Sequence, residues 1–118
     1  MSGHTGYHAG LAAEDITARD YLRRDGRELA RRWRGRAGEI DLILRDEETV
    51  VFVEVKKSRS FASAAHRVSP RQISRIQNTA AEFMSGLPQG QLSDVRFDVA
   101  LVDRMGRVSI IENAFLDF

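Results

Sequence analysis

Apolar residues recur along this chain at two different spacings, one helical and one strand-like. Leu11, Ala18, Tyr21 and Leu22 fall on one helical stripe and Gly26 follows as a stop, so the spacing predicts a first helix over 11–24. Glu14 falls on the same stripe, which aims a carboxylate toward the core. Residues 28–34, ELARRWR, read as an Arg-decorated first strand closed by the turn GRAG at 35–38. Two clearer strands follow at 39–45 and 50–56, joined by the polar loop DEET. A second helix is marked by Ser69 as N-cap, Pro70 in its first turn, Gln72 completing a capping box, and Gly86 as terminator. Its buried stripe is Ile73, Ile76, Ala80, Phe83 and Met84, with Arg71, Arg75 and Asn78 on the polar face. VRFDVALVD and RVSIIE, around the turn RMGR, form a closing hairpin. The order helix, three strands, helix, two strands predicts an α/β domain with a mixed central β-sheet.

The hairpin at 39–56 carries an anomaly. Pairing its strands across DEET makes opposed residue numbers sum to 95, so that Asp41 faces Glu54 and Glu39 faces Lys56. One face then presents Ile40, Leu42, Leu44, Val51, Val53 and Val55, which is core by composition; the other presents Glu39, Asp41, Ile43, Phe52, Glu54 and Lys56. Like charges directly opposed in an antiparallel pair destabilise it, and aspartate is depleted in strands. A divalent cation between Asp41 and Glu54 would reverse that sign. Oxygen ligands without sulfur suit Mg²⁺ or Mn²⁺, and a lysine two residues after Glu54 is placed to reach a water or a phosphate. The plain alternative is a solvent-facing hairpin with an exposed Glu39–Lys56 pair of little energy.

Composition narrows the chemistry. At 118 residues the chain has room for one core; residues 1–9 are expected to be flexible and 10–118 to form a single domain. There is no cysteine, so thiolate metal sites and cysteine nucleophiles are excluded. No long apolar run and no leader pattern is present, and a cytoplasmic protein is the expectation. The net charge of +1 conceals segregation: residues 38–55 hold six acids and one Arg, while 56–75 hold six basic residues and no acid. An acidic patch between basic flanks suits a phosphodiester with a cation at its centre. Of 18 basic residues only Lys56 and Lys57 are lysine. His4, His8 and His66 carry no pattern of their own.

Asp41, a gap of 12 residues, then Glu54-Val55-Lys56 resembles the D…(D/E)xK signature of the PD-(D/E)xK nuclease superfamily, with Ile40 where the motif's proline stands. The blocks GLAAEDITARDYL, GRAGEIDLI, VVFVEVKK, SPRQISRI, RFDVALVD and ENAF resemble, in order, those of the YraN-like family of predicted endonucleases, which is similar to archaeal Holliday-junction resolvases. The resemblance implies a restriction-endonuclease-like fold with the site on the second hairpin. It also implies that Asp41 and Glu54 hold Mg²⁺ or Mn²⁺, that Lys56 positions water or stabilises charge, and that Glu14 is a further catalytic carboxylate. Glu39 and Gln72 are accessory candidates, Gln72 being equally explained by its cap.

The leading expectation is a divalent-metal-dependent endonuclease acting on DNA, branched or structured DNA included. Arg32, Arg34, Arg36, Lys57, Arg59, Arg71 and Arg75 are the candidates for gripping phosphates, and Trp33 either packs or stacks on an unpaired base. A non-catalytic nucleic-acid-binding module on the same fold is the alternative. A phosphatase or nucleotide hydrolase lacks support, since no Gly-rich cradle precedes a helix. A homodimer would suit a two-fold junction, but no surface stripe in the sequence establishes one.

Overall fold

A computed structural model describes residues 2–62, 68–88 and 94–115, with side chains from Ala12 onward. Helix α1 spans Ser2–Leu22, strands β1, β2 and β3 span Arg27–Arg34, Glu39–Asp46 and Thr49–Lys57, helix α2 spans Pro70–Ser85, and β4 and β5 span Asp94–Val102 and Val108–Ile111. The α/β order is the expected one. All five strands form one sheet in the order β1-β2-β3-β4-β5, antiparallel except for the β3–β4 pair, which is parallel because α2 carries the chain back across the sheet.

Each helix covers one face. α2 packs Ile73, Ile76, Ala80 and Met84 on Ile43, Val50, Phe52, Val99 and Leu101. Rings tie this layer together: Phe52 stacks on Phe97 at 5.6 Å and meets Phe83 edge-on at 5.9 Å, and Trp33 meets Phe83 edge-on at 5.3 Å. Trp33 is therefore a packing residue. On the other face α1 lays Ala18 and Tyr21 on Leu42, Leu44, Val51, Val53 and Ala100. Both faces of the hairpin are core, and its ionisable groups sit where that core runs out, not on a face of their own. Burying each large apolar side chain contributes about 1.5–3 kcal/mol, which drives this three-layer arrangement.

α2 follows its capping signals closely. Ser69 Oγ accepts from the N–H of Gln72, Gln72 Oε1 accepts from the N–H of Ser69, and the helix stops before Gly86. α1 differs from expectation at both ends. It begins at Ser2, not Leu11, despite Gly3, Gly6 and Gly10, and it ends at Leu22 with Asp25 (φ 68°), not a glycine, in the left-handed turn. Its buried stripe is Ala13, Glu14, Thr17, Ala18 and Tyr21, whereas Leu22 is 53% exposed. Small residues let α1 lie close to the sheet, and Tyr21 anchors it by donating from its hydroxyl to Asp98 Oδ2 at 2.7 Å. Asp98 is fully buried and also accepts from Arg96 Nε (3.0 Å), Arg96 Nη2 (3.1 Å) and the N–H of Asn113 (3.2 Å).

The register of β2 and β3 is the one expected, from Asp46↔Thr49 to Leu42↔Val53, and it ends there. From Glu54 onward β3 is paired only with β4, through Lys57↔Val102. β1, on the opposite edge of β2, is irregular too. A shift between Glu28 and Ala30 leaves Leu29 as an extra residue, and Arg32, between the pairs Arg31↔Leu42 and Trp33↔Ile40, adopts φ 51°. Strict alternation also fails on β2: Ile40 and Ile43, three apart, share the α2 core, so Ile40 does not join Leu42 as expected. Asp41 lies at this kink.

Candidate active site

The splaying of β2 from β3 past Val53 opens a cleft of about 210 Å³ lined by Gly38, Glu39, Asp41, Glu54, Gln72, Arg75 and Ile76. It lies at the C-terminal end of β3, where the chain leaves the sheet for α2, the position at which α/β sheets collect ligands. Where the next ladder bond would form, Asp41 Oδ2 accepts from the N–H of Val55 at 2.8 Å. That bond holds the aspartate side chain against β3.

Asp41 and Glu54 stand close enough for each to perturb the other's carboxyl. Burial, then the charge of Asp41, pushes the Glu54 carboxyl up to about 7; Lys56 opposes the rise. Burial also raises Asp41, against the Val55 N–H, its neighbour Glu54 and the charge of Lys56, while Glu39 adds to the rise. Crowding two carboxyls into a half-buried corner of the cleft favours their protonated forms. Lys56 Nζ stands 3.3 Å from Glu54 Oε1.

The expected Glu39–Lys56 pair does not form. The β2–β3 ladder has ended before Lys56, whose ammonium goes to Glu54, and Glu39 Oε2 accepts from Arg34 Nη2 at 3.1 Å. Glu14, 4% exposed, accepts from Arg32 Nε at 2.9 Å. Burial pushes its carboxyl up, the Arg32 bond opposes this, and the charge of Asp41 adds to the rise, so Glu14 lies within the field of the pair. Among the described residues no group of three or more His, Asp or Glu side chains converges as a metal cage. Two carboxylates on one edge of a solvent-reachable cleft nevertheless match the ligand set of Mg²⁺, which keeps most of its shell for water and phosphate oxygens.

Gln72 lines the cleft while its Oε1 is committed to the Ser69 cap. Of the basic candidates, Arg75 lines the cleft, Arg32 and Arg34 are bound to Glu14 and Glu39, and Arg36 sits in the β1–β2 turn. Lys57, Arg59 and Arg71 are exposed near the end of β3 and the start of α2. His66 and the side chains of His4 and His8 lie outside the described residues.

A model of the family described as "Uncharacterised protein family UPF0102" matches residues 13–102. The chain belongs to the UPF0102 family. It is 60% identical over 115 residues to a UPF0102 protein of Cereibacter sphaeroides strain ATCC 17025, covering 98% of each chain. It is 56% identical over 113 residues to one of Ruegeria pomeroyi, covering 96% of this chain and 92% of that one. With one of Dinoroseobacter shibae the identity is 45% over 105 residues, 89% and 78% of the two chains. The UPF0102 match contains Glu14, Asp41, Glu54, Lys56 and the whole of α2.

One residue that shapes this UPF0102 cleft escaped the sequence reading. Glu82 accepts from the N–H groups of Arg36 and Ala37, both at 2.9 Å, and so ties the β1–β2 turn to α2. The available signal was its position seven residues after Arg75, two helical turns along one side of α2. Among the described residues, no helix of this UPF0102 chain is long and apolar enough to cross a membrane.

Proposed function

We propose that this protein is a divalent-metal-dependent nuclease that hydrolyses phosphodiester bonds in DNA. The observation that carries the reading is the half-buried Asp41–Glu54 pair lining a cleft open to solvent, with the Lys56 ammonium 3.3 Å from Glu54. Like-charged carboxyls in contact lose stability unless something cationic occupies the space between them, and such perturbed groups in a cleft mark functional sites.

In this reading Asp41 and Glu54 would hold Mg²⁺ or Mn²⁺. The bound ion supplies positive charge to the phosphate and acidifies a water. Asp41 is oriented for this by the Val55 N–H, which takes one side of its carboxylate and fixes its rotamer. Lys56 presents its ammonium to the water or to the charge that grows on the phosphate as water adds to phosphorus, one P–O ester bond breaks and the leaving oxygen takes a proton. Glu14 keeps Arg32 neutralised behind Asp41. Incubating the protein with Mg²⁺ or Mn²⁺ and linear, branched and flapped DNA tests the reading, with Asp41→Ala as control. Absence of cutting, with no difference from the variant, sinks it.

One observation favours a second reading, a nucleic-acid-binding module without turnover. The Lys56–Glu54 contact at 3.3 Å already offsets part of the pair's charge without a metal. Calorimetric titration with Mg²⁺ separates the two, since wild type that takes up no more ion than Glu54→Ala supports the module.

A further inference from the structure

Nothing in the backbone explains why residue 38 is glycine. Among the described glycines only Gly106, at φ 82°, is left-handed, so Gly38 adopts a conformation open to any residue. Space is the constraint. A Cβ at Gly38 would meet Arg75 Cγ at 2.7 Å and Cδ at 2.8 Å, closer than carbon atoms pack. The aliphatic stem of Arg75 therefore lies on the surface that the missing side chain leaves. Both partners are held: Glu82 fixes the turn through the N–H groups of Arg36 and Ala37, and the Arg75 carbonyl accepts from Thr79 Oγ1 at 2.7 Å within α2.

Arg75 shares the cleft with Glu39, Asp41 and Glu54. The neighbouring cations are engaged: Arg32 on Glu14, Arg34 on Glu39, Lys56 on Glu54. Among the described residues Arg75 is ion-paired with no carboxylate, although three line the cleft with it. A guanidinium beside three carboxylates and bound to none is poised for an anion that enters from outside.

We propose that Arg75 grips the phosphate of the strand seated in the cleft, and that Gly38 is the residue that positions it. The planar fork of Arg75 donates to the non-bridging oxygens of a phosphodiester whose other side faces Asp41 and Glu54. Gly38 acts only through Arg75, by giving its stem a seat. This rests on the nuclease reading of the cleft and adds to it which cation sets substrate affinity.

The test measures anisotropy of a short fluorescein-labelled duplex and of its single strand in Ca²⁺, and kcat and KM in Mg²⁺. Arg75→Ala weakens binding about 10- to 100-fold, the loss of a charge-assisted hydrogen-bond pair, and raises KM more than it lowers kcat. Its salt dependence flattens by roughly one phosphate contact. Arg75→Lys, which keeps charge and loses the fork, falls between. Gly38→Ala weakens binding in the same direction and lowers Tm, yet adds nothing to either in the Arg75→Ala background, because the clash has gone. Unchanged binding in Arg75→Ala, in a protein whose cutting Asp41→Ala abolishes, overturns the proposal and leaves the nuclease reading standing. Additive losses in the double variant overturn the role of Gly38. Wild type that binds neither DNA in Ca²⁺ overturns the role of Arg75, and the nuclease reading falls with it only if cutting in Mg²⁺ is also absent.

Discussion

Asp41 accepts from the backbone N–H of Val55 at 2.8 Å, and this bond stands where the β2–β3 ladder gives out. The side chain thus finishes the sheet and begins the cleft. Asp41→Asn keeps an oxygen for Val55 and removes the charge, whereas Asp41→Ala strands the N–H, a loss of about 1–3 kcal/mol where water cannot replace the acceptor. Asp41→Asn is expected to melt above Asp41→Ala, while both lose Mg²⁺-dependent cutting. Calorimetry beside a cleavage assay reads the two effects separately.

Stability should fall with pH in the metal-free protein. Glu54 is raised from 4.5 to about 7, and Glu14 and Asp41 shift the same way. A carboxyl with a raised folded-state pKa binds more protons folded than unfolded, so its contribution is complete below 4.5 and is lost as pH rises through about 7. Tm at pH 8 lies below Tm at pH 5.5, Glu54→Gln flattens the slope, and Mg²⁺ raises Tm more at pH 8. A wild-type profile parallel to that of Glu54→Gln contradicts the assignment.

Lys56→Ala separates charge stabilisation from binding. Removing one preorganised donor from developing charge costs about 10²- to 10³-fold in kcat. DNA affinity in Ca²⁺ and the uptake of Mg²⁺ are expected to stay within a few-fold of wild type. Equal losses in binding and kcat would assign Lys56 to the ground state.

The Tyr21–Asp98–Arg96 network is expected to be structural. Tyr21→Phe removes one bond to a buried carboxylate, about 1.5–3 kcal/mol. Asp98→Ala strands the Tyr21 hydroxyl and leaves Arg96 only Asp46 and Glu112, and is expected to cost more than Tyr21→Phe. Urea unfolding measures both, and cutting by the molecules that remain folded is unaffected.

Glu82→Ala frees the turn at 35–38. The N–H groups of Arg36 and Ala37 lose their acceptor, and trypsin is expected to cut after Arg36 faster than in wild type. An unchanged cutting rate would show that the turn is held by its own backbone bond, Gly35 N–H to the Gly38 carbonyl at 2.8 Å.

Local chemistry made much of this fold legible. Ser69, Pro70, Gln72 and Gly86 delimit α2 without outside help, and the hairpin register follows from the short loop between Asp46 and Thr49. What stayed hidden depends on partners distant in sequence. β3 parts from β2 after Val53, while β4, some forty residues on, stays paired along its other edge. Past that point Lys56 meets Glu54 and not Glu39. The kink at Arg32 contains no glycine to announce it, and Tyr21 meets Asp98 across a separation of 77 residues. Asp41 and Glu54 were visible as misplaced charges, while Glu82 and Gly38 gain meaning only once α2 lies over the β1–β2 turn.

β3 is the middle strand of five, and Glu54 and Lys56 ride on it. Amide hydrogens at the heart of a sheet exchange with solvent only when the whole domain opens, while edge strands such as β1 and β5 fray well below that free energy. Glu54 and Lys56 thereby follow directly on residues 49–53 of β3, which are paired on both edges and form the slowest-exchanging part of the molecule. Warming or mild denaturant thins the population of folded molecules before it blurs the cleft in any one of them. Activity per folded molecule should therefore hold constant through most of the unfolding transition.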